Sequence, residues 1–311
     1  MGAIHLYLVR HGESVDNVAN LYSAQPGQGS SWADRHPPPS LMTTLLTLHF
    51  RKTSSAGSRD APLTSHGVLQ ARRLGAHLAT RTESARISHV FASNLQRAVR
   101  TAEAIRDATG ERGSKDEGVS ASSSASGGGI PVVQLPELRE KHFGTGEGQK
   151  IGAAAGERHV GAEGQDAMRA RATRFVEEHL APFLACVEGA EGEESIVVVA
   201  HGIILGVLAR VLQSGGEFGT VSSRADDRPS LAWSNTGFIE MVISPSASPG
   251  SAAAKWPNLS LQTVAVNCTD HLQGLRKTRG GIGSAKFDDK QKTLSAFFTP
   301  TGKKRKHGED A

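Results

Sequence analysis

Ile4-His5-Leu6-Tyr7-Leu8-Val9-Arg10-His11-Gly12-Glu13 decides the fold. Six residues of β-forming, largely apolar chain end abruptly in two cations, a glycine and an acid. An apolar run without strict alternation reads as a strand buried on both faces, as in a parallel or mixed sheet covered by helices. The pattern recurs. Ile87-Ser88-His89-Val90-Phe91-Ala92 runs into Ser93-Asn94-Leu95-Gln96-Arg97, and Ser195-Ile196-Val197-Val198-Val199-Ala200 runs into His201-Gly202. A fourth strand, Ile130 to Gln134, leads to Leu138-Arg139-Glu140.

Helical patterns lie between these strands. Thr64 or Ser65 caps a run through Leu69, Leu74 and Leu78; Leu95 to Ala108 carries Ala98, Thr101, Ala102 and Ile105 at helical spacing. Ala167 to Val187 reads as a longer helix with an interruption at Pro182, and the almost wholly apolar Ile203 to Leu212 as a buried helix. Strands alternating with helices predict an α/β domain. Ligands of open α/β sheets bind beyond the carboxyl ends of the strands. Arg10, His11, Arg97 and His201 therefore fall at one sheet edge, provided the strands are neighbours. Two arginines and two histidines converging there suit a phosphate dianion.

Three stretches interrupt the pattern: 25–60, read as an inserted loop; 110–129, Ser/Gly-rich and expected to be disordered; and Ser214 to Pro229, read as a polar loop. The domain is expected over 1–272, with a tail over 273–311. The chain has 311 residues and a formal net charge of +4. From Arg276 on, ten Lys or Arg stand against four acids, so the tail is +6 and the remainder −2. The basic balance thus belongs to the tail, and direct nucleic-acid binding is not expected beyond it. Two cysteines, Cys186 and Cys268, without metal-ligand spacing, suit a reducing intracellular compartment. No stretch approaches the roughly 20 apolar residues of a membrane helix, and no membrane association is expected.

Leu8-Val9-Arg10-His11-Gly12-Glu13-Ser14 followed by Asn17 resembles the signature of the histidine phosphatase (phosphoglycerate mutase-like) superfamily. The resemblance continues through Pro62-Leu63-Thr64-x-x-Gly67-x-x-Gln70-Ala71, Ser93-x-Leu95-x-Arg97-Ala98-x-x-Thr101-Ala102, Leu138-x-Glu140-x-x-x-Gly144 and Val199-Ala200-His201-Gly202. Asn267-Cys268-Thr269-Asp270-His271-Leu272 looks like the family's closing segment. Five motifs in family order are specific for the superfamily and silent about the substrate. The resemblance implies a three-layer α/β/α fold with a mostly parallel central sheet. It also implies hydrolysis of a phosphate monoester through a phosphohistidine at His11, with Glu140 as general acid and base and no metal or organic cofactor. Arg10, Gly12, Asn17, Ser23, Arg97 and His201 are then the phosphate- and substrate-binding residues.

The residue types fit that chemistry. Phosphoryl transfer spreads charge over three oxygens, so positioning and cationic donors dominate. Guanidiniums offer bidentate donors that keep their charge. Gly12 and Gly202 are expected to leave room for close approach to phosphate, and backbone N–H groups after Gly202 to add donors. His11 needs one ring nitrogen free to attack and the other N–H held by an acceptor. The region between Glu140 and Ala167 is short, with no obvious lid, which favours a phosphatase over a phosphoglycerate-type mutase. A catalytically inactive scaffold is the third alternative.

The tail carries a separate signal. Gln291-Lys292-Thr293-Leu294-Ser295-Ala296-Phe297-Phe298 resembles a PIP box, the peptide that docks on the sliding clamp, proliferating cell nuclear antigen. Adjacent phenylalanines in a charged tail need a partner's pocket. A helical turn would set Leu294, Phe297 and Phe298 on one side, with Gln291 in a polar niche. The alternative is a tail helix packing that pair onto the parent domain. Lys303-Lys304-Arg305-Lys306 reads as a nuclear import signal, so nucleus and cytoplasm are the expected locations.

Overall fold

The computed structural model describes residues 2–19, 57–82, 85–110, 129–149, 159–214, 216–222, 233–246, 250–276 and 282–288. Most of the 25–60 and 110–129 stretches, Ser23, the Gln291–Phe298 octapeptide and the Lys303–Lys306 cluster lie outside the described residues.

A seven-stranded sheet organises the domain: β1 (Ala3–Arg10), β2 (Arg86–Ser93), β3 (Val132–Leu135), β4 (Glu193–Ala200), β5 (Phe218–Ser222), β6 (Phe238–Pro245) and β7 (Trp256–Cys268). The spatial order is β3-β2-β4-β1-β6-β7-β5. β3, β2, β4 and β1 pair in parallel, β6 runs against both β1 and β7, and β5 pairs parallel to β7. β6 alone is reversed, so the sheet is mixed and mostly parallel. The expected strands are there and are neighbours.

Side chains on β1 alternate between two cores, because successive Cβ atoms point to opposite faces. Ile4, Leu6 and Leu8 pack with α4 (Gln165–Phe175), α5 (Ala181–Leu184) and α6 (Gly202–Gln213). Tyr7 and Val9 pack with α2 (Ser65–Arg81) and α3 (Gln96–Gly110). β4 splits likewise, with Ile196 and Val198 on one face and Val197 and Val199 on the other. This double burial is why these strands read as continuous apolar runs. Helices thus cover both faces, giving the three-layer α/β/α arrangement.

Four details differ from the expectations. The sheet has three further strands, β5 to β7. β5 falls inside the stretch read as a polar loop; it is a short edge strand whose Phe218 is buried while its neighbours alternate towards solvent. The long helix breaks before Pro182: α4 passes through a π turn, Val176–Leu180, into α5. There the Ala181 N–H reaches back five residues to Val176 O, because proline at 182 supplies no donor to continue the ladder. Leu69, placed on the apolar stripe of α2, is 49% exposed, while Gln70 beside it is buried. Finally, the domain passes the boundary expected at 272. Ser65 N donates to Ala285 O (3.0 Å) and Phe287 N to Leu63 O (3.2 Å), so 282–288 lies along the start of α2.

A cavity of about 700 Å³ opens between α2, α3 and this returning segment, lined by Leu63, Ala71, Ala104 and Phe287 among others. It includes none of the four residues placed at the sheet edge. No described helix is long and apolar enough to cross a membrane.

Candidate active site

Four strand ends deliver the site. In the spatial order β3-β2-β4-β1, the residues at or just past them are Glu140, Arg97, His201 and the Arg10–His11 pair. Each follows a strand end directly or after one short turn; Arg97 stands in the first turn of α3, and Glu140 just past the 3-10 turn Pro136–Leu138. All five are buried, between 0 and 3% exposed.

Arg97 is the centre. Its Nε donates to His11 Nε2 (3.2 Å) and to His201 Nδ1 (3.3 Å), and the two imidazoles lie 4.9 Å apart. These bonds fix both tautomers. His11 Nδ1 is 2.6 Å from Gly12 O, which can only accept, so Nδ1 carries the proton and Nε2 presents its lone pair. His201 accepts at Nδ1, so its Nε2–H donates to Ser93 Oγ (2.9 Å). The remaining ends of the Arg97 guanidinium reach main chain: Nη2 donates to Gly57 O (2.7 Å) and Nη1 to Arg59 O. Gly57–Asp60 is itself anchored, with Ser58 donating to Glu147 (3.0 Å), Arg59 paired with Asp16 (3.3 Å) and Asp60 accepting from Gln96 N (2.6 Å).

Burial sets the electrostatics. It drives the His11 imidazole well below its ordinary pKa, and the Arg97 and Arg10 charges push it further. His201 is lowered for the same reasons, burial first and then Arg97, His11 and Arg10. Both rings are therefore neutral at pH 7. Burial also pushes Arg10 and Arg97 down to about 10, against the opposing pull of Glu140 on each, so both remain cations. Glu140 accepts from Lys141 N (2.9 Å), Ile203 N (3.2 Å) and Ile204 N (3.2 Å).

Those last two donors, Ile203 N and Ile204 N, lie at the start of α6. Gly12 has a packing role. Its N–H donates to Thr101 Oγ1 (3.1 Å), its carbonyl takes His11 Nδ1, and a Cβ there would stand 2.6 Å from Gly67 O. It is glycine because the His11 turn crosses the first turn of α2, where Gly67 meets Glu13 O in the same way. A Cβ at Gly202 would meet only Arg10 Nε, at 3.9 Å. Asn17 closes a capping box with Ser14 on α1 (Val15–Val18) and accepts from Asn235 Nδ2 (3.2 Å), whose amide also donates to His11 O (3.2 Å). Asn17 thus joins the site through Asn235.

Several supports have no counterpart in the sequence reading. Trp233 O accepts from Arg10 Nη1, Gly237 O accepts from Arg10 N (3.1 Å), and Thr236 N donates to the Arg10 and His11 carbonyls. Thr101 Oγ1 donates to Arg97 O (2.7 Å) while accepting from Gly12. Ser93 and Thr101 stand in quoted motifs and could have been found there. Trp233 and Gly237 act through backbone atoms that every residue possesses, so no residue type signals them. Among the described residues, no group of three or more His, Cys, Asp or Glu is placed to hold a metal ion.

The model of the histidine phosphatase superfamily, branch 1, matches residues 47–121 and 118–224, more than half of the chain. That span holds Arg97, Glu140 and His201; the β1 end with Arg10 and His11 precedes it. Over 275 residues the chain is 27% identical to a "probable phosphatase" of Schizosaccharomyces pombe, covering 83% of this chain and 80% of that protein. It is 26% identical over 217 residues to a "probable phosphoglycerate mutase" of Erwinia tasmaniensis, covering 67% and 74%. The fold is shared with a mycobacterial hydrolase (TM-score 0.53, 18% identity, 85% of this chain and 91% of that one). It is shared equally with a phosphoglycerate mutase from Bacillus anthracis (TM-score 0.52, 18% identity, 88% and 96%). Fold, site and family match agree: the chain belongs to the histidine phosphatase superfamily, branch 1, and is an enzyme of the phosphohydrolase or mutase kind.

Proposed function

We propose that the protein is a phosphatase that hydrolyses a phosphate monoester through a phosphohistidine at His11. The observation that carries the reading is the Arg97 Nε–H set between the lone pairs of His11 Nε2 and His201 Nδ1, with the His11 Nδ1–H already held by Gly12 O. The nucleophile is therefore neutral, oriented and next to a cation.

A substrate phosphate takes over the Arg97 N–H groups now bonded to Gly57 and Arg59, and also the Nε–H now on His11 Nε2, which frees that lone pair for attack. Arg10 and Arg97 then neutralise its oxygens, and charge-assisted bidentate bonds hold it in line with Nε2. His11 Nε2 forms a bond to phosphorus as the ester P–O bond breaks, and a Glu140 carboxyl gives its proton to the leaving oxygen. In the second step Glu140, now a carboxylate, takes a proton from water. That water's oxygen attacks phosphorus, the P–N bond breaks, and inorganic phosphate leaves with the His11 lone pair restored. The Glu140 side chain reaches the start of α6, where Ile203 N and Ile204 N join Lys141 N in fixing its orientation.

Release of phosphate from a generic aryl phosphate, compared with His11→Ala, tests this. Activity abolished in the variant is the expected outcome, with phosphohistidine trapped on wild type alone. Phosphate transferred between substrates with none released would replace the phosphatase by a mutase, and no turnover with an unphosphorylated His11 would leave a scaffold.

We further propose that Gln291, Leu294, Phe297 and Phe298 dock on the sliding clamp, and that Lys303–Lys306 direct nuclear import. The sequence pattern supports both. Truncation after Asp288, which keeps the segment paired with α2, is expected to abolish clamp binding and leave hydrolysis intact. Undiminished clamp capture by the truncated protein would overturn the assignment.

A further inference from the structure

Behind the His11 turn lies a group of residues that the proposed reaction does not touch. Among the described residues, only two non-glycine residues have positive φ, Thr236 at 57° and Asn267 at 47°, and both stand in this group. Asn267 Oδ1 accepts from Ser234 N (2.8 Å), pinning the turn from Trp233 to Gly237 onto the end of β7. A Cβ at Gly237 would meet that same Oδ1 at 2.3 Å. The turn is thus pressed between β7 and the His11 loop.

Thr236 is completely buried, β-branched and left-handed, a combination that backbone sterics disfavour strongly. Glycine would adopt this φ without strain. What threonine adds is a hydroxyl. Its Oγ1–H donates to Asn235 O (2.7 Å), so the bond from His271 Nε2 (2.9 Å) is donated by the ring to Oγ1. Burial lowers the His271 pKa to about 4, with His77 acting in the same direction, so the ring is neutral and can stand behind the site without adding charge. The other side of Thr236 faces the nucleophile: its N–H donates to Arg10 O (3.0 Å) and His11 O (3.3 Å).

We propose that Thr236, propped by His271, is a positioning residue for the His11 nucleophile. One peptide plane links Thr236 to the nucleophile. His11 O is held by Thr236 N and Asn235 Nδ2, and the Gly12 N–H at the plane's other end is held by Thr101 Oγ1. With both ends fixed, the Gly12 carbonyl is delivered to His11 Nδ1 and the proton is kept on that nitrogen. Loosening Thr236 lets the plane rotate, and Nε2 loses both its alignment and its assured lone pair. A misplacement of about an ångström in such a site costs up to about a hundredfold in rate. Sequence inspection shows only a threonine before a strand.

The inference rests on the phosphatase reading, and its test separates the two. Thr236→Gly, Thr236→Ser and His271→Ala are compared with wild type in aryl phosphate hydrolysis. The His11 tautomer is followed in parallel by the ¹⁵N resonances of its ring. Thr236→Gly relieves the strained φ and keeps the N–H, so it folds; it is expected to lower kcat about tenfold with KM within twofold, and to mix the His11 tautomers. Thr236→Ser, which keeps the hydroxyl, is expected to stay within twofold of wild type. His271→Ala is expected to resemble Thr236→Gly, and the double variant to be no worse than either alone, because the two residues form one chain of bonds. A Thr236→Gly enzyme with wild-type kcat and tautomer, a Thr236→Ser enzyme as impaired as it, or additive losses would each overturn the proposal. If wild type hydrolyses nothing, the phosphatase reading fails while the tautomer comparison still judges Thr236.

Discussion

The two halves of the sheet both bury charge, and they do so to opposite ends. On the antiparallel side, Glu240 of β6 is surrounded by donors: His5 Nδ1 (3.0 Å), Tyr7 Oη (3.1 Å) and Arg81 Nε (2.8 Å) all reach its carboxylate. On the parallel side, Arg10 and Arg97 lie close enough for the Arg97 charge to lower the Arg10 pKa, and the imidazoles beside them are neutral. The first group is closed, its charge matched within the protein. The second concentrates cations around two neutral imidazoles, and in the proposed reaction a substrate dianion completes it. Buried charge that the fold itself satisfies is structural; buried like charges pressed together mark a site for a ligand.

Arg97→Ala should break the comparison most severely. One cationic donor aimed at a transferring phosphoryl group contributes on the order of a hundred- to a thousandfold in rate. The variant is therefore expected to lose about that much kcat/KM towards an aryl phosphate, with thermal stability changed far less than activity. Arg97→Lys should recover little, because an ammonium cannot bridge His11, His201 and a phosphate with one planar group. A loss of only a few-fold in Arg97→Ala would mean that the cluster is structural, like its counterpart around Glu240.

The same contrast explains what could be read in the sequence. The parallel half was legible because its strands are buried on both faces and end in residues that phosphate chemistry requires: Arg10-His11, Arg97, Glu140 and His201. Runs such as Ile196 to Ala200 leave no second interpretation. The antiparallel half was less legible. β6 has Glu240 in mid-strand, which breaks the apolar run, whereas β7 does carry a period-two signal, with Leu259, Leu261 and Thr263 buried and Asn258, Gln262 and Val264 exposed. Their partners are set by pairing across the sheet, which local pattern does not encode. Gln70 shows the same limit on α2. It is buried in place of Leu69 because its side chain accepts from Glu13 N (2.9 Å), a contact 57 residues distant in sequence. The supports that act through carbonyls, at Gly57, Arg59, Trp233 and Gly237, are invisible for a deeper reason: their chemistry is independent of residue type.

Glu240→Ala sharpens the comparison from the structural side. Burial alone would raise the Glu240 carboxyl, but hydrogen bonds from His5, Arg81 and Tyr7 outweigh it and hold the pKa below the ordinary value. A carboxylate with a lowered folded pKa stabilises the fold above its unfolded pKa, and that stability is lost as pH falls through the folded value. Truncating a fully buried partner costs about 3–5 kcal/mol; with Arg81 partly exposed, about 1–3 kcal/mol is expected. Denaturant unfolding at pH 7 measures it. The kcat of the folded variant should match wild type, since none of its three partners touches the phosphate site. A variant with full stability and reduced kcat would erase the division between the halves.

The smallest expected effect is the absence of one. An ordinary histidine nucleophile is protonated below its pKa of about 6.5, and its activity then falls with half-loss near that pH. His11 is lowered well below that value by burial and by two neighbouring guanidiniums, so the lone pair on Nε2 persists into mildly acid solution. His201, lowered likewise, keeps the Nδ1 lone pair that accepts from Arg97. Stability moves with pH in the same direction as for Glu240, but at higher pH. The unfolded chain binds protons at these histidines near pH 6.5 while the folded chain does not, so folding weakens as pH falls below that point. Activity must therefore be read as initial rates on protein transferred briefly from neutral buffer. Under those conditions kcat is expected to change less than threefold between pH 7 and pH 5.5. A sigmoid centred near 6.5 would show that solvent and protons reach His11 freely, and that the cationic cluster is not buried in the working enzyme.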